Sequence, residues 1–185
     1  MNVALRLRMT TEEFLAWEES QPERWEFDGF RPVAMAGGTV NHNVITGGIF
    51  AAIREQLRGS PCRAHIEGMK IEVDGSIRYP DVFVACGPAS GKATVADNPV
   101  VVFEVLSPST VNTDVIVKSR EYRATASIMR YVLVAQDRIA IEVHTRRGED
   151  WVVTSIVDPD ALLEMPEIGV SIPIASFYEG VSFEP

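Results

Sequence analysis

Tyr79-Pro80-Asp81-Val82-Phe83-Val84-Ala85 and, after a loop, Val100-Val101-Val102-Phe103-Glu104-Val105-Leu106 decide how this chain folds. Each is a short apolar run bounded by turn residues, which reads as a strand inside a sheet. Each carries one acid, Asp81 at the start of the first and Glu104 within the second. An acid in such a run is costly to bury alone, so Glu104 requires a partner, a proton or a metal ion. If the two strands are neighbours, both carboxylates approach one point. They stay ionised together only with something positive between them. Mg²⁺ meets that need, because it takes hard oxygen ligands and keeps several waters. Two plainer readings stand beside this one: Pro-Asp is a common turn dipeptide, and Glu104 can pair with a core arginine. From the strand alone, Glu104→Gln should be as stable as the natural chain or more so, since it relieves a desolvation cost.

The second run ends in Ser107-Pro108-Ser109-Thr110, a turn, and a helix capped by Asn112 or Thr113 follows to about Ala126. Asp114, Lys118 and Tyr122 share one face of it at four-residue steps. Leu106 points to the same side of its strand as Glu104. A leucine cannot hold water or offset phosphate charge, so a cation for chemistry has to come from elsewhere. Lys118 lies roughly 7 Å along the helix from its start, at about 1.5 Å rise per residue, within reach of the Glu104 strand. The plain alternative is an Asp114–Lys118 surface pair worth about 0.3–0.5 kcal/mol. Lys70, in the strand before Asp81, is a rival cation.

Upstream, Thr10-Thr11-Glu12-Glu13 has capping-box spacing and opens a short helix with Phe14, Leu15 and Trp17 on its apolar side. Arg24 to Met35 reads as a hairpin with a two-residue turn at Asp28-Gly29, and its alternation turns Glu26 toward water. A helix runs from about Asn41 to Arg58, closed by Gly59, with Ile45, Ile49, Ala52, Ile53 and Leu57 as its stripe. His42 begins that stripe and reads first as a packed or capping residue. Gly47-Gly48 inside the helix suggests close packing against a sheet or a partner. Arg63–Glu67 and Met69–Val73 are strands broken at Gly68, and Asp74-Gly75 is a tight turn. Ile77 to Ala85 continues the sheet through Pro80, and Gly87 to Asn98 is a mobile loop. Downstream come a strand over Met129–Ala135, a hairpin of Arg138–Thr145 with Trp151–Val157, and a connection from Asp158 to Gly169. No repeat or linker interrupts the chain, so residues 1–185 read as one α/β domain with a mixed, mostly antiparallel sheet.

The chain has 185 residues and is 46% hydrophobic, enough for one substantial core. Its apolar runs are too short for a membrane span, and Met1 to Met9 lacks the apolar centre of a secretory signal. That places the chain in the cytoplasm, with Cys62 and Cys86 as free thiols. A net charge of −9 excludes a broad basic surface for nucleic acid. Any phosphate contact must come from local Arg and Lys or from a metal ion.

Tyr79-Pro80-Asp81-Val82, the block Val102-Phe103-Glu104-Val105-Leu106-Ser107-Pro108-Ser109-Thr110, and Asp114, Lys118 and Tyr122 together resemble the Uma-type family of bacterial restriction endonucleases, part of the PD-(D/E)XK nuclease superfamily. The resemblance extends over nearly the whole chain, including Thr11-Glu12-Glu13-Phe14, Glu26 to Gly29 and His42. It implies a restriction-endonuclease-like core of mixed strands flanked by helices, and Mg²⁺- or Mn²⁺-dependent cleavage of DNA. By position, Asp81, Glu104 and the Val105 carbonyl would bind the metal. Lys118 would orient or activate the attacking water, and Glu26 and His42 would stand at the rim of the catalytic site. The chain departs from the pattern at Leu106, as the family does, and also at Tyr131-Val132 and in the absence of a glycine from Ala124-Thr125-Ala126-Ser127. Cutting both strands usually takes two active sites, so a homodimer is expected. The competing class is a catalytically silent nuclease fold acting as a binding or oligomer-forming module, which suits the acidic charge. A serine hydrolase built on Ser107 or Ser109 lacks the glycine-flanked elbow.

Overall fold

Pro99–Leu106 forms the strand β8, and its alternation builds two cores. A computed structural model of the chain describes residues 9–35, 37–107 and 113–183, and only the backbone of Thr113 and Asp114. In chain order before β8 come α1 (Thr11–Glu18), β1 (Trp25–Phe27), β2 (Pro32–Ala34), α2 (Val40–Gln56), β3 (Cys62–Ile66), β4 (Lys70–Val73), β5 (Ser76–Arg78), β6 (Val82–Cys86) and β7 (Val95–Ala96). After it come a π-helical turn (Thr113–Lys118), α3 (Ser119–Ala124), β9 (Arg130–Ala135), β10 (Ile141–Arg147), β11 (Asp150–Ile156), β12 (Leu162–Met165), β13 (Val170–Pro173) and a 3-10 turn (Ile174–Tyr178).

The strands form a six-stranded sheet β11-β10-β9-β8-β6-β3, a five-stranded sheet β2-β1-β5-β4-β7 and the pair β12-β13. Two pairings are parallel, β8 with β9 and β4 with β7, and the rest are antiparallel, so the expected mixed and mostly antiparallel architecture is present. Val101, Phe103 and Val105 of β8 face a core shared with α2, β12-β13 and the 3-10 turn. Val102 faces a second core with Ile71 and Tyr122. Glu104 has the parity of Val102 and therefore lies on the α3 side.

The capping box at Thr10 and Glu13 forms as its spacing predicts. The stripe of α2 buries Ile45, Ile49 and Ile53. Gly48 has a reason for its place, because a Cβ there would meet the Phe177 carbonyl oxygen at 2.8 Å. The close neighbour is thus the C-terminal turn of the same chain.

Several expectations are corrected. Ile77 to Ala85 is not one strand: β5 and β6 belong to different sheets. Pro80 has no N–H to donate and holds the residue before it extended, so Tyr79-Pro80-Asp81 becomes the crossing between them. β3 and β4 divide in the same way at Gly68, whose φ is +83°. The Asp28-Gly29 turn is longer than two residues, since Asp28 Oδ1 accepts the N–H groups of both Phe30 and Arg31. The segments 87–98 and 158–169 are not all loop, for they contain β7 and β12. The helix that carries Tyr122 starts as a π turn and ends at Ala124. The Pro108–Asn112 turn and cap lie outside the described residues. Cys62 and Cys86 are not free thiols but a disulfide. They sit opposite each other on β3 and β6, a juxtaposition that a separation of 24 residues conceals in the sequence. No helix among the described residues is long and apolar enough to cross a membrane.

Candidate active site

The crossing at Tyr79-Pro80-Asp81 delivers Asp81 to the edge of β8. The β6–β8 register pairs Val82 with Phe103, which sets Asp81 opposite Glu104. The Asp81 carboxylate accepts the Val105 N–H at 2.6 Å, and His42 Nε2 lies 3.2 Å from the same oxygen. His42 comes from the first turn of α2, which Thr39 caps by accepting the His42 N–H.

Glu104 is 3% exposed, and it is partnered. Lys118 Nζ stands 3.1 Å from its Oε1, and the Tyr122 hydroxyl donates to that oxygen at 2.6 Å. Burial, then the Glu104 charge, pushes the Tyr122 phenol well above its usual range, so it remains a donor. The plain reading of Lys118 as half of a surface pair is set aside, because the lysine is buried. The side chain of Asp114 lies outside the described residues.

Lys118 also lies 3.3 Å from Glu26. Glu26 does not face water as alternation suggests: its carboxylate is buried and accepts from Arg78 Nη1 at 3.0 Å and from the Tyr79 N–H at 3.2 Å. Arg78 in turn holds Glu121 with two bonds of 2.7 Å. Burial alone would lower the guanidinium's pKa, but Glu121 and Glu26 outweigh it and hold the group above its usual range. The result is a buried chain of alternating charge, Glu121–Arg78–Glu26–Lys118–Glu104.

Asp81, Glu104, Val105, Lys118, Glu26 and His42 all line one cleft of about 480 Å³. Lys70 does not join them. It is buried against Glu18 at 2.6 Å, and Tyr79 donates to the other oxygen of Glu18. Burial and that bond raise the Tyr79 pKa. Burial would raise Glu18, but Lys70 and Tyr79 outweigh it and bring it below the usual carboxylate range. The rival cation is thus committed elsewhere.

Sequence reasoning missed Arg78 and Glu121. Arg78 stands between Ile77 and Tyr79 in the short strand Ser76-Ile77-Arg78, a weaker signal than the long apolar run around Glu104. Glu121 had none, since it stands among polar neighbours in Ser119-Arg120-Glu121-Tyr122-Arg123.

The donor set determines which ion would fit. Among the described residues the cluster holds four carboxylates, Glu26, Asp81, Glu104 and Glu121, against two permanent cations, Arg78 and Lys118, an excess of two negative charges. One divalent cation would balance it. Among the described residues no three His, Cys, Asp or Glu side chains gather as a ready-made metal cage. Two carboxylates and a backbone carbonyl suit Mg²⁺ or Mn²⁺, which complete their shells with water, better than Zn²⁺.

Residues 11–175 match the model of the Uma2 family, described as "Putative restriction endonuclease". The chain is 33% identical over 180 residues to the uncharacterized protein slr1290 of Synechocystis, covering 95% of this chain and 94% of that one. It is 26% identical over 170 residues to sll1609 of the same organism, covering 89% and 96%. The fold is similar to the crystal structure of a putative nuclease belonging to DUF820 from Anabaena variabilis, with TM-score 0.74, 18% identity, and 92% and 98% of the two chains covered. At that identity the likeness is one of fold.

Proposed function

The chain belongs to the Uma2 family of restriction-endonuclease-like proteins, and from that premise we propose that its cleft hydrolyses phosphodiester bonds of DNA with Mg²⁺ or Mn²⁺. The observation that carries the proposal is the meeting of Asp81 and Glu104 across adjacent strands, with Lys118 buried against Glu104. Asp81, Glu104 and the Val105 carbonyl hold the ion. When bound, it polarises a phosphoryl oxygen and lowers the pKa of a water.

The chain's own residues do the rest. Lys118 takes the place that Leu106 cannot fill: its ammonium orients the attacking water and offsets phosphate charge. Glu26 holds that ammonium from the other side, and Arg78 holds Glu26. His42 fixes the Asp81 carboxylate and modulates the site without being essential to it. The N-terminus of α2 lines the cleft with Thr39 and His42 and favours a phosphate. The net charge of −9 leaves these local groups and the ion to attract the substrate. A cytoplasmic location, where DNA is at hand, belongs to the same reading.

The test is conversion of supercoiled plasmid to nicked or linear DNA with Mg²⁺ or Mn²⁺. Wild type should cut and Asp81→Asn should not. A wild-type protein that cuts with neither ion would leave the competing reading, a silent nuclease fold that only binds, which the net charge of −9 favours.

A further inference from the structure

Among the described residues the six-stranded sheet ends at β11, whose outer edge is open. Val152 and Val153 are 50% and 47% exposed, and Thr154 and Ser155 are exposed with them. β10 and β11 are joined by the two-residue turn Gly148-Glu149, so Arg147 and Asp150 form the first hydrogen-bonded pair. By alternation, Asp150, Val152, Thr154 and Ile156 bond inward to β10. Trp151, Val153 and Ser155 then turn their N–H and C=O groups outward. Among the described residues none of these six groups finds a partner.

Soluble proteins usually block such an edge with lysine, proline or a bulge. β11 reads Asp-Trp-Val-Val-Thr-Ser-Ile and carries one charge, at its end. The opposite edge, β3, carries Arg63 and His65.

We propose that β11 pairs antiparallel with β11 of a second copy about a two-fold axis at Val153, joining two six-stranded sheets into one. The antiparallel register about Val153 favours a second copy as the occupant. With Val153 opposite itself, Trp151 faces Ser155 and Ser155 faces Trp151, so all six outward groups are satisfied at once. Val152 then lies opposite Thr154, a pair of β-branched side chains suited to a sheet. Asp150 meets Ile156, so no like charges are opposed. A shift by one residue would bring the inward-bonding residues to the edge and leave the outward groups unpaired. This contact is independent of the chemistry in the cleft and would give the assembly two clefts.

Light scattering on the purified full chain at micromolar concentration tests it. Wild type should show twice the 20.4 kDa of one chain. Val153→Lys should return the single-chain mass, because two lysines would meet on the axis. Val153→Pro should do the same while keeping the wild-type circular dichroism, since it removes a donor that the β10 ladder does not use. A monomeric wild type overturns the proposal, and so does a Val153→Lys protein that keeps the doubled mass.

Discussion

The carboxylate of Asp81 accepts the backbone N–H of Val105 at 2.6 Å, so the first acid of the site is tied to the residue that follows the second. That bond fixes where Asp81 points and blocks one of its oxygens from drifting into solvent. Asp81→Ala should therefore cost stability as well as function, by about 1–3 kcal/mol, the cost of an unsatisfied part-buried N–H. Asp81→Asn keeps an acceptor and should lose far less. Urea unfolding of both variants separates the two effects, and equal losses would mean that the bond does not hold the strand edge.

Glu104→Gln should abolish Mn²⁺ binding in calorimetry and also destabilise the protein. The sequence alone suggests the opposite sign for stability, because an acid in an apolar strand is a burden. Lys118 and Tyr122 reverse it: the glutamine takes the Glu104 charge away from a buried ammonium that also faces Glu26. A loss of about 1–3 kcal/mol is expected, below the ~3–5 kcal/mol for a fully orphaned charge. A variant as stable as wild type would show that the lysine repacks freely.

Lys118→Ala and Lys70→Ala should fail in different ways. The first should lose DNA cleavage and retain Mn²⁺ binding, because Asp81 and Glu104 remain. The second should lose stability and retain cleavage per folded molecule, because Lys70 serves Glu18. Cleavage at the wild-type rate by Lys118→Ala would rule out the helix-borne lysine as the catalytic cation.

Arg78→Met should be more destabilising than Glu121→Gln. The methionine leaves Glu121 buried without the Arg78 cation and takes Arg78 from Glu26, which keeps Lys118, at about 3–5 kcal/mol. The glutamine can keep an acceptor toward the Arg78 guanidinium, so about 1–3 kcal/mol is expected. Chemical denaturation of the two variants, side by side, decides the order.

Stability should fall as the solution is acidified below about pH 6.5, with His144 as one cause. The Arg123 guanidinium lies 2.6 Å from Nδ1 and can only donate, so Nδ1 accepts and Nε2–H donates to Glu142. That is neutral imidazole. Burial pushes its pKa below 6.5, and the Glu142 contact opposes this only in part. His65 is lowered too, by burial and then by Arg63. The unfolded chain therefore takes up these protons at a pH where the folded chain does not. The associated stability is full above about 6.5 and is lost as pH falls toward the folded values. Urea midpoints at several pH values should show a shallower acid decline in His144→Gln, and an unchanged slope would assign the decline to other groups.

The sequence by itself determined many of the local elements and the two acids Asp81 and Glu104. Thr10 with Glu13, the stripe Ile45-Ile49-Ile53, and the apolar run holding Glu104 each carry their meaning within a few residues, where propensity and periodicity act. The same short range made Glu104 legible, because a charge among four valines, a phenylalanine and a leucine conflicts with its own neighbours. Tertiary structure alone decided what those acids touch. Glu26 looked solvent-facing because alternation describes one strand and says nothing of Arg78 arriving from another. Cys62 and Cys86 looked free because a disulfide depends on the β3–β6 register. Glu121 gave no sign, since its partner Arg78 is 43 residues away. A side chain's partner is fixed by which strands become neighbours, and that choice is made by burying the two faces of the sheet together, a cooperative property of the whole chain that no single window of sequence contains.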